Sequence, residues 1–302
     1  MHPAERRFVA AIDDAGDLAD IRRACARFED PERGKLPKAT PDFSAALASV
    51  LHAHLLRRCN VPAYTGWLDV YFGRRQSTFR SALQQPSFLY YPSLAPVPWF
   101  EGTTLPGLEE LQPAIAPVAD EILAYVGSTS DFQPYVGLDA AGDARWKGLS
   151  GSDAWSSIHL IKGGRLSEHL AKLPRTNEFL ARAPLAQCPP HAPECFVSRL
   201  SAGVELPPHH GVSNLKLTVH LPIEVPDGDC SITVGGETRR WKLGEFLVFD
   251  DSFLHSAANR AQSSRAVLIF DVWHPELSAD EKGGLAYAIA TLDMVNKVAW
   301  AR

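Results

Sequence analysis

Cysteine is scarce in this chain. Cys25, Cys59, Cys188, Cys195 and Cys230 are odd in number and contain no Cys-x-x-Cys spacing. A zinc cluster or disulfide framework is therefore not expected. Cys188 and Cys195 flank Pro189-Pro190-His191 and could meet, but reduced thiols are the better expectation. Long apolar runs are missing: none reaches the roughly 18 residues of a membrane span. No apolar segment follows the polar start Met1–Arg7, so no secretory leader is expected and the location is expected to be cytoplasmic. Positive charge is not in surplus. Lys and Arg number 30 against 35 Asp and Glu, giving net charge −5 and pI about 6.1. With no local basic cluster, neither nucleic acid nor an anionic membrane is an expected partner. No fixed-period repeat is visible.

The chain has 302 residues, 45% hydrophobic and 22% charged. That suffices for one large or two modest globular domains with ample core. The informative stretch runs from Ser198 to Pro275. From Asn214 to Leu221 the chain alternates strictly, with Leu215, Leu217, Val219 and Leu221 on one face and Asn214, Lys216, Thr218 and His220 on the other. That is the period of a strand. Ser231–Val234, Gly244–Phe249 and Ala266–Val272 read the same way, and Gly235-Gly236 reads as a hairpin turn. Short strands at close spacing, broken by Gly and Pro, predict an antiparallel sandwich or jelly roll able to enclose a site.

Two histidines flank these strands. His209 stands just before one, and His255 follows the turn Asp250-Asp251-Ser252. Histidine is a common ligand for iron, zinc and copper, and two His plus a carboxylate make the facial set of non-haem Fe(II) oxygenases. The carboxylate usually stands two residues after the first His, where this chain has Gly211. A lone His more often hydrogen-bonds within the structure than ligates, so spacing leaves both readings open.

The ordered motifs resemble the aspartyl/asparaginyl β-hydroxylases, a branch of the Fe(II)- and 2-oxoglutarate-dependent oxygenases. The resemblance rests on Pro-His-x-Gly-x-x-Asn at 208–214, His220-Leu221, Trp241-x-x-Gly244, Phe249-Asp-Asp-Ser-Phe-x-His255, Arg265, and Asp271-Val-Trp-His-Pro-Glu-Leu277. Weaker similarity reaches upstream through 88–94, Pro98-Trp-Phe, Trp155 and 174–179, covering most of 80–277. The resemblance implies a mainly β fold with flanking helices, built on a double-stranded β-helix (jelly roll, cupin-like) core. It implies a hydroxylase that uses Fe(II), 2-oxoglutarate and O2 on an amino acid, a peptide or a small metabolite. In this family a Gly replaces the carboxylate ligand, so Gly211 agrees with it. Carried over, His209 and His255 look like the iron ligands. Arg265, helped by Ser198, resembles the partner of the distal carboxylate of 2-oxoglutarate, and His220 resembles a residue near its other carboxylate end. One position departs: the family often has Arg where this chain has Thr218, and Lys216, on the same strand face, is the candidate to supply that charge. Ser150 and Ser157 do not match the family's substrate-binding side chains, so substrate identity is not carried over.

Arg265 can also be read from physics alone. Its same-face neighbours are Val267, Ile269 and Asp271. An inward Arg among aliphatics is costly without an anion, and its planar fork suits a carboxylate. An internal salt bridge to Asp271 or Asp251 is the competing reading. Asp250 and Asp251 read as turn residues that orient neighbours rather than ligate. Two other functions stay in play: a cupin-like metalloenzyme independent of 2-oxoglutarate, and a non-catalytic binding protein.

Outside this stretch, 4–30 and 42–59 have helical spacing, and Asp30–Pro41 reads as a loop. Together they suggest an N-terminal helical region, 1–78, packed on an oxygenase domain, 79–302. His52 and His54 are expected to pack rather than react. Residues 84–101 read as extended, 108–126 as a helix, 140–153 as a mobile lid, 155–161 as a strand, 175–180 as a turn into a short helix, and 279–298 as a closing helix.

Overall fold

The structure is a computed structural model that describes residues 1–29, 40–59 and 62–299. Its elements in chain order are α1 (Pro3–Asp13), α2 (Leu18–Phe28), α3 (Pro41–Arg58), α4 (Pro62–Tyr71), β1 (Trp99–Phe100), α5 (Ile115–Ser128), β2 (Gln133–Pro134), β3 (Trp155–Lys162), β4 (Arg165–Leu166), α6 (Pro174–Arg182), β5 (Cys195–Leu200), β6 (Val204–His209), β7 (Lys216–Glu224), β8 (Cys230–Val234), β9 (Glu237–Arg240), β10 (Leu247–Phe249), β11 (His255–Asn259), β12 (Arg265–Trp273) and α7 (Ala279–Ala299).

Two antiparallel sheets face each other. The larger has the order β1-β10-β7-β12-β5-β3-β2, with β4 paired to β3; the smaller has the order β6-β11-β8-β9. From β5 onward each successive strand changes sheet, the β8–β9 hairpin excepted. That winding is the double-stranded β-helix of the jelly-roll, cupin-like class, as expected. The hairpin turns through Gly235 and Gly236, at φ 59° and 88°, with Val234 opposite Glu237. Two successive positive φ angles are what a two-residue turn between twisted strands needs, and glycine supplies them without strain.

Alternation along β7 sorts its side chains as the sequence suggests. Leu217, Val219 and Leu221 pack outward with Ile115, Val118 and Ile122 of α5 and Phe179 of α6. Lys216, Thr218 and His220 point between the sheets. On β12, Leu268, Phe270 and Val272 join the outer core, which sends Arg265, Ile269 and Asp271 inward. The helical layer has its own core, in which Phe8, Ile12, Ile21, Phe43 and Leu47 meet Val295 and Val298 of α7. The closing helix therefore packs with the N-terminal helices. His52 bonds Asp69 and His54 bonds Tyr287, each at 2.8 Å, in the packing roles expected.

Several boundaries differ from the sequence reading. The 4–30 run is two helices, because Asp17 caps α2 by accepting from Asp20 N at 2.9 Å. Helix α4 was not foreseen, and most of the loop expected over 30–41 lies outside the described residues. The 108–126 helix begins as a 3-10 segment, Glu109–Ala114, with Pro113 inside it, before α5 takes over; proline cannot donate to the α-helical ladder. Within 84–101 the one strand is β1, with isolated bridges Gln84–Phe253 and Leu89–Ser213. The 140–153 segment carries 3-10 turns, Leu138–Gly142 and Ala144–Trp146. It stands beside the cavity between the sheets, where Ala140 and Trp146 line the wall. The five cysteines are free and buried, and among the described residues no helix is long and apolar enough to cross a membrane.

Candidate active site

A cavity of about 480 Å³ lies between the two sheets, within the size range of small-molecule sites. His209 closes β6 and His255 opens β11, and the two residues are direct partners in the antiparallel register. A cross-strand pair brings side chains together whatever their separation in sequence. Here the ring centroids are 4.1 Å apart at 53°. Each ring is oriented by its own backbone: His209 Nδ1 donates to Pro207 O at 2.8 Å, and His255 Nδ1 donates to Phe253 O at 2.9 Å. A carbonyl only accepts, so Nδ1 carries the proton in both and Nε2 keeps a lone pair. Burial, then the neighbouring His255, pushes His209 down to about 4, and burial also lowers His255. Two neutral imidazoles, tautomers fixed by carbonyls, have the donor chemistry of metal ligands. Among the described residues no set of three or more His, Cys, Asp or Glu gathers in a way that could hold a metal. The histidines stand as a pair.

The space beside Gly211 is already taken. A Cβ on Gly211 would lie 2.4 Å from Cγ and Oδ1 of Asp251. The Asp251 carboxylate therefore occupies the room a side chain at 211 would need, and its Oδ1 is buried without a hydrogen-bond partner. Asp250 faces elsewhere. It accepts from Gln84 Nε2 at 2.8 Å and Ser252 N at 2.9 Å, and burial pushes it up to about 7. His210, just past the strand end, also lines the cavity, while its ring is drawn toward the Leu83 carbonyl.

Arg265 reaches into the same cavity and is only 2% exposed. Its Nε and Nη1 are buried without partners, and its guanidinium lies 4.6 Å from the Trp241 ring centroid. Burial pushes it down to about 10, so it still carries its charge at neutral pH. The internal salt bridge weighed for it does not form, because Asp271 is bound to Lys216 Nζ at 2.7 Å. Ser198 and His220 line the wall with it. Ser198 Oγ accepts from Trp155 Nε1 at 3.1 Å, and His220 Nδ1 accepts from Trp241 Nε1 at 3.0 Å. Burial, then Arg265 and His255, holds His220 well below its ordinary value.

Lys216 lines the cavity too, but its charge is engaged. Besides Asp271 it has Asp251 at 3.6 Å. Burial alone would lower its pKa, yet the two carboxylates outweigh that and the net shift is upward. It is a locked cation, not a free one. Sequence reasoning missed Glu194, His191, Tyr135 and Trp146 as cavity residues. The first two stand on a loop before β5 that carried no periodic signal. Trp146 packs on the His209 ring at 5.2 Å, and Tyr135 stacks on Trp155 at 4.0 Å.

Fold and site together define a double-stranded β-helix protein with two metal-competent histidines and an unpaired buried arginine in one cavity. The model of the aspartyl/asparaginyl beta-hydroxylase family matches residues 114–275, and the chain belongs to that family. It is 28% identical over 212 residues to aspartate beta-hydroxylase domain-containing protein 2 of Xenopus tropicalis, covering 68% of this chain and 55% of that one. It is 35% identical over 133 residues to the human aspartyl/asparaginyl beta-hydroxylase, covering 43% of this chain and 17% of that one. The chain thus spans about half the length of the first relative and far less of the second. Among solved structures, the cupin domain of Schizosaccharomyces pombe Cnp3 aligns at a TM-score of 0.27 and 13% identity, over 41% of this chain and 67% of that one.

Proposed function

We propose that the chain is an Fe(II)- and 2-oxoglutarate-dependent hydroxylase. The observation that carries this is Arg265: a buried guanidinium with two unpartnered nitrogens, in the same cavity as His209 and His255. A buried charge without a counter-ion is expensive, and a ligand carboxylate removes the expense. His209 and His255 would hold the metal through Nε2. Bound iron and 2-oxoglutarate would together supply the oxidising power for insertion of an oxygen atom of O2 into a C–H bond. The protein's own part is positioning. Pro207 and Phe253 carbonyls orient the two imidazoles, Trp241 backs both Arg265 and His220, and Ser198 offers a second contact to the oxoacid. Trp146, Trp155 and Tyr135 wall the site on the side of the 137–151 segment and shield it from water.

The family and this geometry support hydroxylation as the reaction class. The cofactor pair rests on the Arg265 and histidine chemistry, and a cytoplasmic location stays a proposal on the free buried thiols. The decisive test is turnover of 2-oxoglutarate to succinate with and without Fe(II), in the wild type and in Arg265→Ala. Metal binding without any affinity for 2-oxoglutarate would favour a cupin-like metalloenzyme instead. Loss of both would favour a binding protein.

A further inference from the structure

The cavity has two chemically different ends. Arg265 opens β12 and Asp271 lies six residues on along the same inward face. At about 3.3 Å per residue that separates them by roughly 20 Å. Register assigns the other residues to one end or the other. Ser198 pairs with Val267 near Arg265, whereas Thr218 pairs with Asp271, and Asp271 Oδ2 accepts from Glu194 N at 2.9 Å. Glu194, Asp251, Asp271 and Lys216 therefore gather at the far end, all lining the cavity.

Three carboxylates there share one ammonium. Lys216 takes Asp271 at 2.7 Å and Asp251 at 3.6 Å. Glu194 has His159 Nε2 at 3.7 Å, but burial lowers that imidazole to about 4 and leaves it uncharged at neutral pH. Glu194 Oε1 accepts from Gly163 N. Burial, and then the charge of Asp271, raises its carboxyl against that bond and the more distant Lys162 and Lys216. Among the described residues no cation stands within ion-pair distance of it, His159 being uncharged. A second observation is independent of charge. Thr218, 6% exposed and lining the cavity, has a buried Oγ1 with no partner. A buried hydroxyl facing a cavity is satisfied by whatever enters it.

We propose that this far end is a subsite for a cationic substrate group, an ammonium or guanidinium, received by Glu194, Asp251 and Asp271 with the Thr218 hydroxyl as a neutral acceptor. The subsite rests on the reading of the Arg265 end as the oxoacid site, and it deepens that reading by naming the substrate class. It also rejects anions, since a carboxylate entering would meet three like charges and no free cation. A substrate with an acidic side chain is thereby disfavoured relative to a basic one.

The test uses the full chain with Zn(II) and saturating 2-oxoglutarate, titrated with n-butylguanidinium and with butyrate by ligand-observed NMR. The guanidinium binds at least about tenfold more tightly than butyrate, and Glu194→Gln weakens it about three- to tenfold, as expected for loss of one charge-assisted partner. Asp251→Asn serves as the second variant should Glu194→Gln fold poorly. Equal or tighter butyrate binding that persists in Arg265→Met overturns the proposal. So does absence of guanidinium binding, or a guanidinium affinity unchanged in both variants. Binding of 2-oxoglutarate is read separately from its own signals in the same samples. Its absence refutes the oxoacid site, while the cation preference alone decides the subsite.

Discussion

Replacing Arg265 by Met separates a ligand anchor from a structural ion pair, because the two roles predict opposite signs for stability. Arg265 has no carboxylate within the described protein to abandon, and its Nε and Nη1 already lack partners. Replacing such a buried charge with an apolar side chain of similar volume is often neutral or stabilising by about 1–4 kcal/mol. At about 2–4 °C per kcal/mol for a chain of this order of size, the ligand-free protein should melt unchanged or roughly 2–16 °C higher. On the proposed function, the same substitution also removes the charge-assisted contact to the distal carboxylate of 2-oxoglutarate. Loss of one partner of a desolvated charge pair costs about 2–5 kcal/mol, roughly thirty- to several-thousand-fold in affinity. Thermal unfolding without ligand and calorimetric titration of 2-oxoglutarate into the Zn(II) protein read the two effects. Arg265→Lys should recover only part of the affinity, since a point charge cannot reproduce the fork, and high 2-oxoglutarate should partly rescue turnover. A melting point lowered by several degrees together with unchanged 2-oxoglutarate affinity would show Arg265 to be structural and refute the reasoning.

If the backbone-oriented pair supplies the metal ligands as proposed, His209→Ala and His255→Ala should each abolish metal binding in equilibrium dialysis, whereas His210→Ala should keep a metal stoichiometry of about one. Asp250→Asn should leave that stoichiometry intact, its carboxylate being turned to Gln84 and Ser252; loss of metal in this variant would make it a ligand. His191 and His274 are pushed from 6.5 to about 4, each by burial first. Between those values the unfolded chain binds more protons, so stability is fully present above about pH 6.5 and falls as pH drops toward 4; midpoint denaturant concentration against pH reads this, and a flat profile refutes it. Gly211→Ala should cost about 1–3 kcal/mol by displacing the Asp251 carboxylate, and much less in an Asp251→Gly background; equal costs in both backgrounds would show that the crowding is not the reason for glycine.

What was legible in the sequence was what depends on local period. The alternation of β7 is a property of consecutive residues, so it put Lys216, Thr218 and His220 on one inward face and Leu217, Val219 and Leu221 on the other. Strand β6 was missed because Pro207 and Pro208 argue against a strand. It is tolerated since β6 is the edge of the smaller sheet, where a missing N–H leaves no ladder bond broken. That miss hid the reason the two histidines meet, which is the β6–β11 register and not any spacing along the chain. Family likeness pointed to His209 and His255; the pairing explains why they meet. The same limit governs the cations. On its own strand face Lys216 looks as suited to an anion as Arg265 does. The β7–β12 pairing sets Thr218 opposite Asp271, which brings that carboxylate to Lys216 and leaves Arg265 without one. The difference between a locked cation and one available to a ligand is thus carried by which strands are neighbours, and the proposal that an oxoacid binds at the Arg265 end of the cavity rests on it.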